Sequence, residues 1–158
     1  PADAVAREVT ARLPRVGSFA IAGRTLTLSD DAGKELLRYV GTTPSVSGSW
    51  EAVSVLYDDA IRSVVEGHRP TADFAAGGRV TGTTGCNTFS GTYETDGQRV
   101  TVEPGAVTQR ACADPEADRQ ERGYLDALAS ARRFDQTGPE LVLYDAQGRM
   151  AVTFQRAG

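Results

Sequence analysis

This 158-residue chain contains an internal repeat at an offset of 115 residues. Residues 11–39 align without a gap with residues 126–154. Both stretches have the pattern of a helix end, a strand, a glycine turn, an alternating strand, an Asp-x-x-Gly turn and a last strand. Such a repeat predicts two copies of one supersecondary unit, although two unrelated hairpins of similar composition stay an alternative. The identical pairs are Leu13/Leu128, Phe19/Phe134, Gly23/Gly138, Leu26/Leu141, Leu28/Leu143, Asp30/Asp145 and Gly33/Gly148.

The repeat predicts a domain organisation in which part of one unit precedes a complete unit. Residues 1–41 form the C-terminal part of the first unit, a helix plus a hairpin. Residues 42–48 lie in a stretch rich in Gly, Pro, Ser and Thr and form the linker. Residues 49–158 form the complete unit, and Trp50 opens its first strand.

The incomplete first unit raises the question of what covers its apolar residues. An isolated hairpin is marginal in water, and an open strand edge invites pairing. We therefore expect residues 19–40 either to pack on the complete unit or to pair with the same segment of a second copy. The second outcome would give a homodimer.

The complete unit reads mostly as short strands with one helix. Asp114 is a good N-cap and Pro115 suits the first helical position, so the helix is predicted to begin there. The following run of charged residues, 114–122, reads as the first turn and solvated polar face of that helix. The Asp96-Gly97 pair marks the strongest hairpin turn. The predicted fold class is α+β, mainly β, as a small antiparallel barrel or strongly curved sheet with one packed helix.

Charge and hydropathy argue against a nucleic-acid partner and against a membrane-spanning helix. The net charge is −4, and the charged residues are interspersed without the basic stripe that phosphate-backbone binding requires. We therefore predict no nucleic-acid partner. No apolar run approaches the roughly 20 residues of a membrane-spanning helix, while a lipid anchor upstream of Pro1 stays compatible with the sequence.

The two cysteines and the single histidine limit the possible chemistry. A thiol enzyme needs a base beside its cysteine, but His68 precedes a proline in what reads as an exposed loop, and a Cys86–His68 dyad has no local signature. Zinc usually takes four ligands from closely spaced Cys and His pairs, which this chain lacks. The glycine- and threonine-rich stretch 82–91 lacks the Gly-Lys ending of a phosphate-binding loop. No catalytic residue, cofactor or metal site is predicted.

A structural disulfide between Cys86 and Cys112 is the favoured interpretation of the cysteines. An even, small number of cysteines is typical of an oxidising compartment. Closing a loop of about 27 residues would stabilise the fold by roughly 3–4 kcal/mol. Two buried reduced thiols stay an alternative, as does a thiol-dependent redox protein with an exposed, low-pKa cysteine.

Residues 49–155 resemble the META domain of HslJ-type bacterial envelope proteins. The similarity rests on a Trp-led strand, a Gly-x-x-Gly-Cys-Asn-x-aromatic-x-Gly-x-aromatic block, and a second cysteine four residues after a threonine. Gln109 and Arg110 depart from the family pattern, which often has a basic residue followed by Met. The matching residues are Trp50, Gly82, Gly85, Cys86, Asn87, Phe89, Gly91, Tyr93, Thr108, Ala111 and Cys112.

The resemblance implies a lipocalin-like barrel in an extracytoplasmic protein that is secreted, periplasmic or lipid-anchored. Some members are linked to stress and antibiotic tolerance, and no catalytic activity is attached to the family. We therefore expect a non-enzymatic binding or scaffolding module of the cell envelope with a protein partner. The alternative is a barrel that binds a small apolar ligand or lipid at a mouth lined by Phe89, Tyr93 and Phe134.

Overall fold

The computed structural model describes residues 2–41 and 43–158, which divide into two compact units, Pro1–Thr43 and Pro44–Gly158. Pro1, in the predicted half-unit, and Thr42, in the predicted linker, lie outside the described residues.

The N-terminal unit is a helix followed by a three-stranded antiparallel sheet. Arg12, at the end of the helix, donates from its side chain to the carbonyl of Leu36 at 2.7 Å, and Leu36 is buried. This bond ties the helix to the last strand. The elements are α1 (Ala2–Arg12), a 3-10 turn (Leu13–Arg15), β1 (Ser18–Ala22), β2 (Thr25–Ser29) and β3 (Glu35–Val40), with strand order β1-β2-β3.

The C-terminal unit is a closed antiparallel barrel with one packed helix. Strands follow one another around the sheet, and the last strand pairs with the first, which closes eight strands into a barrel. This confirms the predicted fold class. The elements are β4 (Gly48–Tyr57), β5 (Ala60–Ser63), β6 (Thr71–Ala75), β7 (Arg79–Thr83), β8 (Thr88–Asp96), β9 (Arg99–Val107), α2 (Pro115–Ser130), β10 (Arg133–Thr137), β11 (Glu140–Tyr144) and β12 (Met150–Arg156).

Closure depends on the long first strand. The beginning of β4 pairs with β6 and its end pairs with β5, while its other edge pairs with β12. The hairpin formed by the end of β4 and β5 therefore extends beyond the barrel. At the opposite side, the hairpin of β8 and β9 turns through Gly97, which has a φ of +60°.

Helix α2 begins where the sequence predicts. The Asp114 carboxylate accepts a hydrogen bond from the Glu116 N–H at 2.8 Å, and Pro115 occupies the first turn. A Cβ at Gly123 would lie 2.3 Å from the Cβ of Tyr57, so only glycine lets the helix approach β4 this closely. Neither helix of the described residues is long and apolar enough to cross a membrane.

The barrel interior is filled by side chains. The largest fully buried ones are Trp50, Tyr124, Phe74, Phe134, Phe154, Leu128, Leu141 and Leu143. The Trp50 indole N–H donates to the carbonyl of Val46 at 2.7 Å, and Val46 is itself buried. Part of the stretch predicted as a linker therefore packs into the C-terminal unit, because a buried indole N–H needs an acceptor.

The two members of the repeat have the same backbone geometry. Phe19 pairs with Leu28, and at the same offset Phe134 pairs with Leu143. Both hairpins have a bulge directly after that leucine, at 28/29 and at 143/144. This shared register supports a true repeat over two unrelated hairpins.

The turn after the bulge is also repeated. The Asp30 carboxylate accepts from the Ala32 N–H at 3.0 Å, and the Asp145 carboxylate accepts from the Gln147 N–H at 2.9 Å. In both turns the Asp side chain also accepts from the N–H four residues on. The two Asp residues therefore hold the same turn.

Candidate functional site

Cys86 and Cys112 form a disulfide with a Cα–Cα distance of 5.7 Å. Cys86 lies in the turn between β7 and β8, and Cys112 lies in the loop that leads into α2. The bond therefore joins the rim of the barrel to the approach to its helix. In this oxidised state neither sulfur is a free nucleophile, so a Cys86–His68 dyad has no thiolate to use.

Asn87 connects the same two loops through its side-chain amide. Its Nδ2 donates to the carbonyl of Arg110 at 2.8 Å, and its Oδ1 accepts from the Arg110 N–H at 2.7 Å. Oδ1 also accepts from the Thr108 hydroxyl at 2.8 Å. The backbone of Arg110 makes these bonds, so the departure of Gln109 and Arg110 from the family pattern leaves them intact.

Glu121 completes this group, although no motif in the sequence marks it. Asn87 Nδ2 lies 3.0 Å from both of its carboxylate oxygens, and the Thr84 hydroxyl donates to it as well. Thr84 and Asn87 are buried. We call Thr84, Cys86, Asn87, Cys112 and Glu121 the rim clasp.

Gln120, next to Glu121, corrects the prediction of a solvated helix face. Its side chain is fully buried, donates to the His68 carbonyl at 2.7 Å and accepts from the Val65 N–H at 2.6 Å. Gln120 lies three residues after Ala117 and four before Tyr124, both buried, so the helical spacing places it on the core face. That spacing was the available signal.

His68 is half-buried and not in an exposed loop, which corrects a second expectation. Its Nδ1 lies 3.3 Å from the Gly85 carbonyl and 3.8 Å from Cys86 Sγ. Gly85 has a φ of +102°, and a Cβ there would lie 2.3 Å from the His68 carbonyl oxygen. The fold therefore brings His68 to the cysteine, as the dyad hypothesis required, but against a bonded sulfur.

Three possible metal ligands also meet in the rim clasp. One ligand atom each from Cys86, Cys112 and Glu121 lies within 4.8 Å of the others. Metal binding by cysteine requires the thiolate, and the disulfide removes it. In the oxidised protein these residues therefore hold loops together.

The remaining motif residues are structural parts of the barrel, with one exception. Trp50, Phe89 and Tyr93 are buried in the core, and the Arg156 guanidinium lies 4.4 Å from the Trp50 ring centroid. A Cβ at Gly82 would lie 2.0 Å from the Thr71 carbonyl oxygen, and one at Gly91 would lie 2.1 Å from that of Glu103. The exception is Ala111, which is exposed.

The residues predicted to line a barrel mouth pack against protein side chains. Phe89, Tyr93 and Phe134 all belong to the core and are at most 8 % exposed. Phe89 makes an edge contact with Tyr124, and Tyr93 makes one with Phe74. The Tyr93 hydroxyl donates to the Ala75 carbonyl at 2.9 Å. These rings therefore fill the interior.

A polar groove of about 620 Å³ lies on the outside of the barrel, between the β4–β5 turn and helix α2. Its charged lining residues are Asp58, Asp59, Arg119, Arg122, Asp126, Asp145 and Arg149. Asp58 and Asp59 form the tight turn with positive φ at both positions. The turn thus projects two carboxylates at one rim of the groove.

Salt bridges organise part of the groove. Arg149 binds Asp145 at 2.8 Å and reaches Asp59 at 3.5 Å. Burial of the Asp145 carboxylate raises its pKa, but the hydrogen bonds from the Arg149 side chain and from the N–H groups of Arg149 and Gln147 outweigh this, so the pKa lies below its ordinary value. Burial raises the pKa of the Tyr57 hydroxyl in the groove wall.

Most of the chain matches a known protein family. The model of the META domain matches residues 44–158. The chain belongs to the META domain family. Its match begins at the residue that opens the C-terminal unit.

Two proteins with NMR structures share the fold of this META unit. A protein from Burkholderia xenovorans has 26 % identity and a TM-score of 0.56, and the match covers 70 % of this chain and 82 % of that one. A second NMR structure has 22 % identity and a TM-score of 0.53, with coverage of 68 % and 87 %. A DUF4847 family protein from Bacteroides vulgatus has 18 % identity and a TM-score of 0.48, with coverage of 71 % and 94 %. The chain matches no curated protein.

Proposed function

We propose that this protein is a non-enzymatic binding or scaffolding module of the bacterial cell envelope, located outside the cytoplasm. The observation that carries this proposal is the use of the motif side chains within the rim clasp. The Asn87 amide is occupied by Arg110, Thr108 and Glu121, and both cysteine sulfurs are bonded to each other. The side chains of Cys86, Asn87 and Cys112, whose residue types can take part in catalysis or metal binding, thus connect the β7–β8 turn to the loop before α2.

The disulfide supports a location outside the cytoplasm, because such bonds persist in oxidising compartments and are rare where thiols are kept reduced. The family resemblance adds a role in stress or antibiotic tolerance. The proposed location depends on the bond between Cys86 and Cys112 forming in the cell, whereas the proposed stress role rests on the family resemblance alone.

The polar groove is the surface on which we place binding. Both signs of charge line it, and Arg122, already paired with Asp118 at 2.8 Å, keeps 67 % of its side chain exposed. Complementary charge gives specificity and speeds encounter between proteins. A polar protein segment fits this lining better than an apolar ligand does.

The alternative of a small apolar ligand or lipid requires an opening among the aromatic residues of the barrel. Phe89, Tyr93 and Phe134 instead pack into the core. A ligand there would have to displace well-packed rings, which costs several kcal/mol per ring. The outer groove is therefore the stronger candidate.

Site-specific photocrosslinking tests the proposal. A photoreactive residue at position 122 should give a discrete product with an envelope component, and the charge reversal Arg119→Glu should remove it. The same residue at the exposed position of Thr95, on β8, serves as the control and should give no such product. Equal products from both positions, or none from position 122, would contradict binding in the groove.

The proposed absence of enzymatic activity can be tested separately. A screen of hydrolase and thiol-exchange substrates should show no turnover above buffer. Turnover that disappears in His68→Ala, with the fold retained by circular dichroism, would contradict it.

A further inference from the structure

The N-terminal unit exposes an apolar face that its own elements do not cover. Phe19 and Ile21, on one face of β1, are 70 % and 69 % exposed. Leu13, at the end of the helical segment, and Tyr39 are also exposed. Large apolar residues clustered on one small sheet mark a surface that is covered in the functional protein.

The repeat shows what covers the equivalent face. At the offset of 115 residues, Phe19 corresponds to Phe134, Leu13 to Leu128 and Tyr39 to Phe154. These three counterparts are at most 1 % exposed. They belong to one buried cluster with residues of β4 and β6 to β9, which are the other strands of the barrel.

The edge strands of the sheet also indicate which segment covers this face. In the N-terminal unit β1 and β3 are the two edges of the sheet. Their counterparts are β10, which pairs with β9, and β12, which pairs with β4. One six-stranded segment, Gly48–Val107, thus supplies both edge partners and the apolar cover in the complete unit.

We infer that the exposed face of the N-terminal unit is the docking surface for a six-stranded segment of META type, located on the amino-terminal side of α1 in the same polypeptide. In the complete unit the six strands come directly before the helix in sequence, and the repeat gives the first unit the same order. Docking completes a second barrel of eight strands and one helix.

A second copy of the same face fits less well. Two such sheets supply six strands, whereas the complete unit closes with eight, and they bring two helices where the barrel accommodates one. At the offset of the repeat, the counterpart of Cys112 falls before residue 1. The completing segment is therefore expected to carry both cysteines of a second disulfide.

Hydrogen exchange compares the native polypeptide, expressed from its own start codon, with residues 1–158 alone. In the native protein, amides of β1 and β3 should exchange at least about tenfold more slowly, because both strands gain pairing partners. Phe19→Asp should abolish this protection. Ala20→Asp, on the other face of the same strand, is the matched control, since its counterpart in the complete unit is Asp135.

Three results would overturn the inference. Equal exchange in both proteins would show that no preceding segment covers the face. Protection in residues 1–158 that rises with protein concentration would identify a second copy as the occupant. Protection in residues 1–158 that does not change with concentration would show that the face is covered within this chain.

Discussion

The side-chain amide of Asn87 lies 3.0 Å from both carboxylate oxygens of Glu121 and donates to them. Asn87 follows the first cysteine at the barrel rim, and Glu121 lies on the second turn of α2. Their contact connects the rim to the helix independently of the disulfide. It gives the rim clasp a polar part and a covalent part that can be tested separately.

Asn87→Ala should lower the free energy of unfolding by about 2–4 kcal/mol, because the Arg110 backbone, the Thr108 hydroxyl and the Glu121 carboxylate lose their bonds to the side-chain amide. Urea unfolding measures the change. A double-mutant cycle with Glu121→Ala should give a coupling of about 1–2 kcal/mol. Thr95→Ala on the exposed side of β8 is the control, and a coupling near zero would contradict the contact.

Gly85→Ala should destabilise the protein more than Gly97→Ala. Both glycines have positive φ, and the shared backbone cost is about 1–2 kcal/mol. Only at Gly85 would the new methyl group also meet a carbonyl, that of His68 at 2.3 Å, whereas nothing lies within 4 Å at Gly97. Equal decreases in the melting temperature of the two variants would show that the turn at residue 85 accommodates the methyl group without additional destabilisation.

Reduction of the disulfide, or the double variant Cys86→Ser with Cys112→Ser, should cost about 3.5 kcal/mol in the chain-entropy model. Chemical unfolding with and without a reductant measures this difference. Mass spectrometry after alkylation under denaturing, non-reducing conditions should find no modified cysteine. Two alkylated cysteines in the native preparation would refute the bond.

Asp145→Asn should remove a pH-dependent part of the stability. The pKa of Asp145 is lowered in the folded state, so its carboxylate stabilises the protein above the pKa of the unfolded chain, about 4, and this stabilisation is lost as the pH falls through the folded pKa. The stability difference between wild type and variant should be constant from about pH 5 to 7 and shrink below about pH 4. Asp96→Asn, at an exposed strand end, is the control, and a difference that does not vary with pH would contradict the assignment.

Two truncations test where the META unit begins. Removal of residues 1–43 should leave a folded unit, because the core cluster lies entirely after Pro44. Removal of residues 1–47 also deletes Val46, the buried acceptor of the Trp50 indole, and should cost about a further 2–3 kcal/mol. Equal stability of the two truncated proteins would place the boundary at Gly48.

The sequence alone determined the local elements and the repeat. Asp114 and Pro115 predicted the start of α2, and the alternation of apolar residues predicted the strands, because capping and side-chain periodicity depend on residues only a few positions apart. The offset of 115 residues predicted the shared hairpin. The strand pattern predicted the barrel, and the small, even number of cysteines favoured the pairing of Cys86 with Cys112.

The contacts between these elements depend on residues that are far apart in sequence. Closure pairs Val55 of β4 with Val152 of β12, and no local pattern marks two strands so far apart in sequence as neighbours. Helical spacing could place Gln120 on the core face, but its partners Val65 and His68, and the contact of Glu121 with Asn87, depend on the packing of α2 against distant loops. The same applies to the groove, whose two walls are a turn at residues 58–59 and a helix that begins at residue 115.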